Sequence, residues 1–306
     1  MDLTLYQNTM NGVIEQTTDS IETYLLSLPE DVTEINVGNR NLEYLPSLAR
    51  FKKLDRLLCA NNRLKSLPEF NESLTFINCD HNQLMYLPEF NRHRHRNLTF
   101  INCSYNQLTY LPEFNKCLST IICGNNKLTY LPEFNFLLKV VSCSNNQLTY
   151  LPEFNVHLRR MCCNDNLLTS LPRFNERLTS INCDNNKLTY LPKFHAKLDF
   201  ILCENNLLTS LPRLNKKLGM IGFTGNPVCE IVKDRETDIL SKKMKKEIEI
   251  LNNFHHLYYS LKYKTRFRDW LWVKVREPKI IQKYHPNNLI KMLDEGRELE
   301  EILLNW

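Results

Sequence analysis

"NKLTYLPEFN" occupies residues 126–135, and nearly the same ten letters stand at 106–115, at 146–155 and, loosened, from 186. The repeat distance is twenty residues. Read outward from that stretch, one unit runs Leu118, Ile121, Cys123, Asn126, Leu128, Leu131, and the next runs Leu138, Val141, Cys143, Asn146, Leu148, Leu151. The same six positions recur in units opening at Leu54, Leu74, Leu98, Leu158, Leu178 and Leu198. Looser units open at Val32, where Arg40 replaces the Asn, and at Leu218. Ten units thus span residues 32–228, and each is too short to bury its own apolar face, so neighbours must cover one another.

In "FINCD" (76–80) Ile77 and Cys79 alternate with Phe76, Asn78 and Asp80, the period of two that a strand requires. Successive strands then lie side by side as one parallel sheet, about 4.8 Å apart. The Asn ladder (Asn62, Asn82, Asn106, Asn126, Asn146, Asn166, Asn186, Asn206, Asn226) is expected to close the turn after each strand by satisfying backbone groups there. Proline in "LPEF" fixes one backbone angle and pushes the preceding Leu to an extended form, so the return path stays extended. Phe70, Phe90, Phe114, Phe134, Phe154, Phe174 and Phe194 are expected to form a core ladder, and Tyr86, Tyr110, Tyr130, Tyr150 and Tyr190 an outer one with wet hydroxyls.

This spacing, L-x-x-L-x-L-x-x-N-x-L, resembles the leucine-rich repeat. The expected architecture is a leucine-rich-repeat solenoid: a curved parallel β-sheet on the concave face, an extended, irregular convex side, a short helical N-terminal cap over 1–31 and a small helical domain over 229–306 closing the C-terminal end. Before Val32, Asp19 and Glu22 form a capping box ahead of an apolar run. After Pro227 the period disappears and helical spacing takes over.

Eight cysteines fall at one inward strand position: Cys59, Cys79, Cys103, Cys123, Cys143, Cys163, Cys183 and Cys203. In register and inward, they read as small buried hydrophobes rather than a disulfide framework. No C-x-x-C pair exists, and Cys162 and Cys163 point to opposite faces, which argues against zinc. Reduced thiols imply a reducing compartment. A charged fraction of 24% with 42% hydrophobic residues is that of an ordinary globular chain, and a net charge of +5 is far from a field that would by itself announce nucleic-acid binding. With neither a signal-like N-terminus nor an apolar run of roughly 20 residues, the expectation is a soluble cytoplasmic protein.

The unit "LPEFNxxLxxIxCxNNxLTYLP" and the tail "DWLWVKVREPKIIQKYHPNNLIKML" (269–293) resemble the leucine-rich-repeat proteins of mimivirus-type giant viruses; the short repeat alone is also similar to that of bacterial effector proteins. The resemblance implies a protein of the host cytoplasm and brings no established activity to carry over. The ligase domain that follows some bacterial effector repeats has no counterpart here. "KYHP" (283–286) resembles a J-domain turn, but Asn287 stands where Asp should follow, and His255 and His256 face different sides of a helix.

The expected function is non-enzymatic capture of a host or viral protein on the concave face by a monomer, with no cofactor, metal or small-molecule substrate. Outward columns vary while core columns do not, and Phe76, Asn78, His81, Phe100, Asn102, Tyr105, Arg160 and Phe200 are the candidate contacts. A four-residue insertion, "NRHRHRN" (91–97), adds Arg92, Arg94 and Arg96 as a basic contact point. The alternative is an adaptor that uses Lys262, Lys264, Arg266 and Arg268, interleaved with Tyr263, Phe267, Trp270 and Trp272, to hold nucleic acid or an anionic membrane, the repeats serving as spacer. On the plainer reading these aromatics are the core of the small domain.

Overall fold

The computed structural model describes residues 20–68, 71–89 and 97–230, together with 246, 248–250, 252–253, 264–266, 268–270, 272–279, 291–292 and 294–296. Asp19, Phe70, Phe90, Arg92, Arg94, Arg96, His255, His256, Lys262, Tyr263, Phe267 and the 283–286 turn lie outside the described residues. The chain divides into two compact units, Met1–Ile248 and Glu249–Trp306.

The first unit is the leucine-rich-repeat solenoid. Helix α1 (Ile21–Ser27) precedes ten strands: β1 (Glu34–Asn36), β2 (Arg56–Leu58), β3 (Phe76–Asn78), β4 (Phe100–Asn102), β5 (Thr120–Ile122), β6 (Val140–Ser142), β7 (Arg160–Cys162), β8 (Ser180–Asn182), β9 (Phe200–Leu202) and β10 (Met220–Gly222). All pair in parallel and in chain order. The partners Phe76 and Phe100 are 24 residues apart, against 20 for Thr120 and Val140, so the inserted residues are taken up between β3 and β4 without a shift of register. In each strand the central residue is buried and its neighbours face outward, as the period of two demands.

Asparagine closes the turn after every strand but β1, where Arg40 stands in its place. Asn166 donates from Nδ2 to the carbonyls of Cys143, Cys163 and Asn164 at 3.1–3.2 Å and accepts the Leu148 N–H at 3.0 Å. Asn82, Asn106, Asn126, Asn146, Asn186 and Asn206 repeat the pattern. One amide thus serves its own turn and the one before it.

A second ladder starts from the last letter of the opening stretch. Asn135 donates to the Asn115 and Leu118 carbonyls, each at 2.9 Å, and accepts the Leu137 N–H. Asn155, Asn175 and Asn215 do likewise. His195 interrupts this ladder: its Nδ1 accepts the Lys197 N–H, but Nε2 is buried without a partner. Burial holds the imidazole below its usual range. Replacing it by Asn restores two donors, so His195→Asn is expected to stabilise the chain by about 1 kcal/mol, read as a rise in the urea midpoint.

The aromatic ladder is at the margin of the core rather than inside it. Phe154 is buried, whereas Phe114, Phe134, Phe174 and Phe194 are half-buried. Phe134, Phe154, Phe174 and Phe194 stack at centroid separations of 6.2–6.3 Å. Hydrogen-bonded strands lie about 4.8 Å apart. The wider spacing on the Phe side makes the sheet the concave surface, and a convex side that spreads cannot close over its rings. The tyrosines, exposed, lie where expected.

At the start, Ser20 rather than Asp19 is the N-cap, its hydroxyl accepting the Thr23 N–H at 3.3 Å. Helix α1 buries Ile21 and Leu25, and Arg50 Nη2 caps its end on the Leu28 carbonyl at 2.6 Å. The eight ladder cysteines are buried and free, while Cys162 is half-buried on the opposite face. Among the described residues, no helix is long and apolar enough to cross a membrane.

Candidate functional site

The residue after each strand's third outward position turns left-handed. Asn61, His81, Tyr105, Asn125, Asn145, Asp165, Asn185 and Asn205 all have φ between 50° and 55°. Asn and Asp enter this region readily because their short side chains bond locally, and His is tolerated; a bulky ring is not. The column is therefore Asn, Asp or, after β10, Gly225 everywhere except at two adjacent turns. There His81 and Tyr105 stack at 4.1 Å between centroids with planes 16° apart.

Beside this pair a second stack crosses the same strands. The rings of Phe76 and Phe100 lie 4.3 Å apart and within 1° of parallel. Arg56 lays its guanidinium over Phe76 at 4.3 Å, and its Nε meets Glu34 Oε2 at 2.8 Å. A carboxylate, a guanidinium and two rings thus line up from β1 to β4. His81 Nδ1 is in turn 2.9 Å from Asp80 Oδ2. Beyond β4 the neighbours are small: Thr120, Gly124 and Asn125. The two stacks end on the same turn.

The other expected contacts are not brought to this patch. Arg160 lies on β7 and Phe200 on β9, three and five strands from Phe100. At about 4.8 Å per strand that is roughly 14 and 24 Å. Asn78 and Asn102 flank the rings, but each spends its Oδ1 on a backbone N–H two residues on, of Asp80 and Ser104 respectively. Arg56 was not among the expected contacts, although a cation in line with the Phe column was its signal. Exposed Phe136, Leu137 and Val156 were also missed. The equivalent positions in later units are Glu176, Arg177, Lys216 and Lys217, and that contrast marks them out.

Toward β9 the face turns acidic. Asp184 accepts the Glu204 N–H at 2.6 Å, and Asp165 accepts from Asn185 at 2.8 Å. Burial, then the nearby Glu204 and Asp165 carboxylates, raise the Asp184 carboxyl to about 6. In that position the folded chain holds a proton that the unfolded chain has released, so stability falls as the pH rises from about 4 to 6. Asp184→Asn keeps the acceptor and removes the charge. It is expected to raise stability at pH 7 by about 1 kcal/mol, discounted because the group is half exposed, and to change nothing near pH 4, as measured by urea unfolding at both values.

No protein-family model matches the chain, and no curated protein matches it. Among solved structures it is similar to YopM, described as a leucine-rich effector protein, from Yersinia pestis: TM-score 0.60 and 33% identity over 63% of this chain and 55% of that one. YopM from Yersinia enterocolitica WA-314 gives 0.59 and 27% over 65% and 48%. The APL1 leucine-rich-repeat domain, at 0.50 and 18% over 64% and 63%, shows the fold alone. The chain spans about half the length of the two YopM structures.

Proposed function

We propose that this protein is a non-enzymatic interaction module that captures a protein partner on its concave face, with Phe76, Phe100, His81 and Tyr105 as anchors and Arg56 beside them. The observation that carries this reading is Tyr105. Every other turn but its neighbour solves the same backbone problem with Asn, Asp or, at Gly225, glycine, so a bulky ring there costs stability and covers no core. Four stacked rings on a solvent-facing sheet are the amphipathic, low-entropy anchors from which interface hot spots are built. Similarity to an effector protein supports a role in acting on other proteins. The tail's resemblance to giant-virus proteins and the reduced cysteine ladder support an encounter in the cytoplasm of a host cell, with the module as a monomer.

The test is to return the column to its rule. His81→Asn/Tyr105→Asn is expected to keep or slightly raise the melting temperature, since it relieves the left-handed ring, while abolishing capture of the partner that the unaltered chain retains from host lysate. Phe76→Ala/Phe100→Ala is expected to abolish the same capture with the fold intact. Capture that survives both variants, or that collapses with added salt, would show that the concave rings are not the site.

A further inference from the structure

We infer that the second unit carries an independent binding surface for single-stranded nucleic acid, centred on Trp272. Residues 264–266, 268–270 and 277–279 are α-helical, and Trp272–Arg276 form a π turn. Along them Lys264, Arg266, Arg268, Lys274, Arg276 and Lys279 are all exposed, against two exposed acids, Asp269 and Glu277. The tryptophans that the sequence suggested as core stand in the open instead: Trp270 is 54% exposed and Trp272 49%, with Val273 at 52%. Single π turns inside α-helices are rare and fall frequently at functional sites. Here the turn presents Trp272 with Arg276 about one turn further on.

Exposed cations around an exposed ring fit an anion that also carries flat faces. Phosphates pair with the cations and a base stacks on the indole, whatever its sequence. A lipid surface fits less well, because an interfacial helix needs one uncharged face. Lys264 and Arg266, two residues apart in an α-helix, point about 200° apart around its axis, and Lys274 directly follows Val273. An acidic protein would satisfy the charges but makes no use of the indole faces.

The chain offers its own probe, since its three tryptophans, Trp270, Trp272 and Trp306, all fall in this unit. Full-length protein would be titrated with oligothymidylate, with heparin as a polyanion lacking bases, and with phosphatidylserine vesicles. Oligothymidylate is expected to quench the tryptophan emission and heparin to bind without that quenching. Trp272→Ala is expected to weaken oligothymidylate binding roughly 5- to 100-fold, and Trp272→Phe, which keeps a ring, to restore most of it. Lys274→Ala/Arg276→Ala is expected to lower the slope of log affinity against log salt by about 0.7 per cation. Equal affinity in Trp272→Ala with its helicity retained, quenching by heparin equal to that by oligothymidylate, or binding to vesicles alone would each overturn the assignment.

Discussion

Asn166→Ala is expected to destabilise the solenoid by about 3 kcal/mol, a large loss for one polar side chain. The residue is 6% exposed. Its removal strips partners from the Cys143, Cys163 and Asn164 carbonyls and from the Leu148 N–H, and no water replaces them all in a closed bend. Leaving buried backbone groups unpaired costs about 1–3 kcal/mol each, and the sum is softened where a carbonyl keeps a second partner. All three carbonyls do so: Cys143 still accepts from Asn146 Nδ2, Cys163 from Asn186 Nδ2 and Asn164 from the Asn145 N–H, each at 3.0 Å, so the loss comes from the bare Leu148 N–H, three weakened acceptors and the void left by the amide. Asn166→Asp is expected to fare no better, because the acceptor survives while both donors go and a charge is buried. Asn185→Ala, one residue before the equivalent Asn186, is the control. Its side chain is exposed and its bonds to Asp165 and Asn205 are replaceable by water, so the strained left-handed backbone makes up most of the loss, about 1 kcal/mol. Urea midpoints of the three variants check the ordering.

The second large effect is chemical. In the folded chain at pH 8 a disulfide reagent is expected to modify Cys117 promptly, Cys162 slowly, and none of the eight ladder thiols on the same timescale. Both accessible cysteines are only half-buried, and burial raises the Cys162 thiol above its usual range. The ladder thiols are fully enclosed, and burial pushes Cys59 and Cys123 up to about 12. Four pH units below such a value, the reactive thiolate is on the order of one molecule in ten thousand. Unfolding in urea releases all 11 cysteines to the reagent. Rapid reaction of more than the two half-buried thiols in the native chain would mean that the turns open far more often than a stacked array allows. The experiment reads local opening of a turn directly, which a thermal melt cannot.

Much of this fold is legible in the letters because the array repeats one solution. The Leu, Ile and Cys columns could be assigned to the interior from period alone, and the first Asn ladder from its place after each strand. The second ladder was in plain view as the final Asn of "LPEFN" and went unread, because an Asn in a turn has many uses and only the hydrogen bonds of Asn135 and Asn155 show which one operates. The Phe ladder was placed too deep for a geometric reason: hydrophobic character tells that a ring seeks cover, not whether a spreading convex side can supply it. The candidate site was half legible. Columns identified Phe76, Phe100, His81 and Tyr105, but only the left-handed angle of Tyr105 separates a tolerated ring from a costly one, and sequence does not display φ. Arg160 and Phe200 were grouped with them by column, which ignores how many strands lie between.

The asparagine amides join each turn only to its immediate predecessor, and that has a genetic corollary. A segment such as residues 136–155 could be lost, or copied, with every remaining amide still finding the same carbonyls one turn away. The near-identical stretches at 106, 126 and 146 supply the register for such exchanges. Chain length in this protein is therefore free to change in whole steps of twenty residues, and a lineage can lengthen or shorten the array behind β4 while the four rings ahead of it stay as they are.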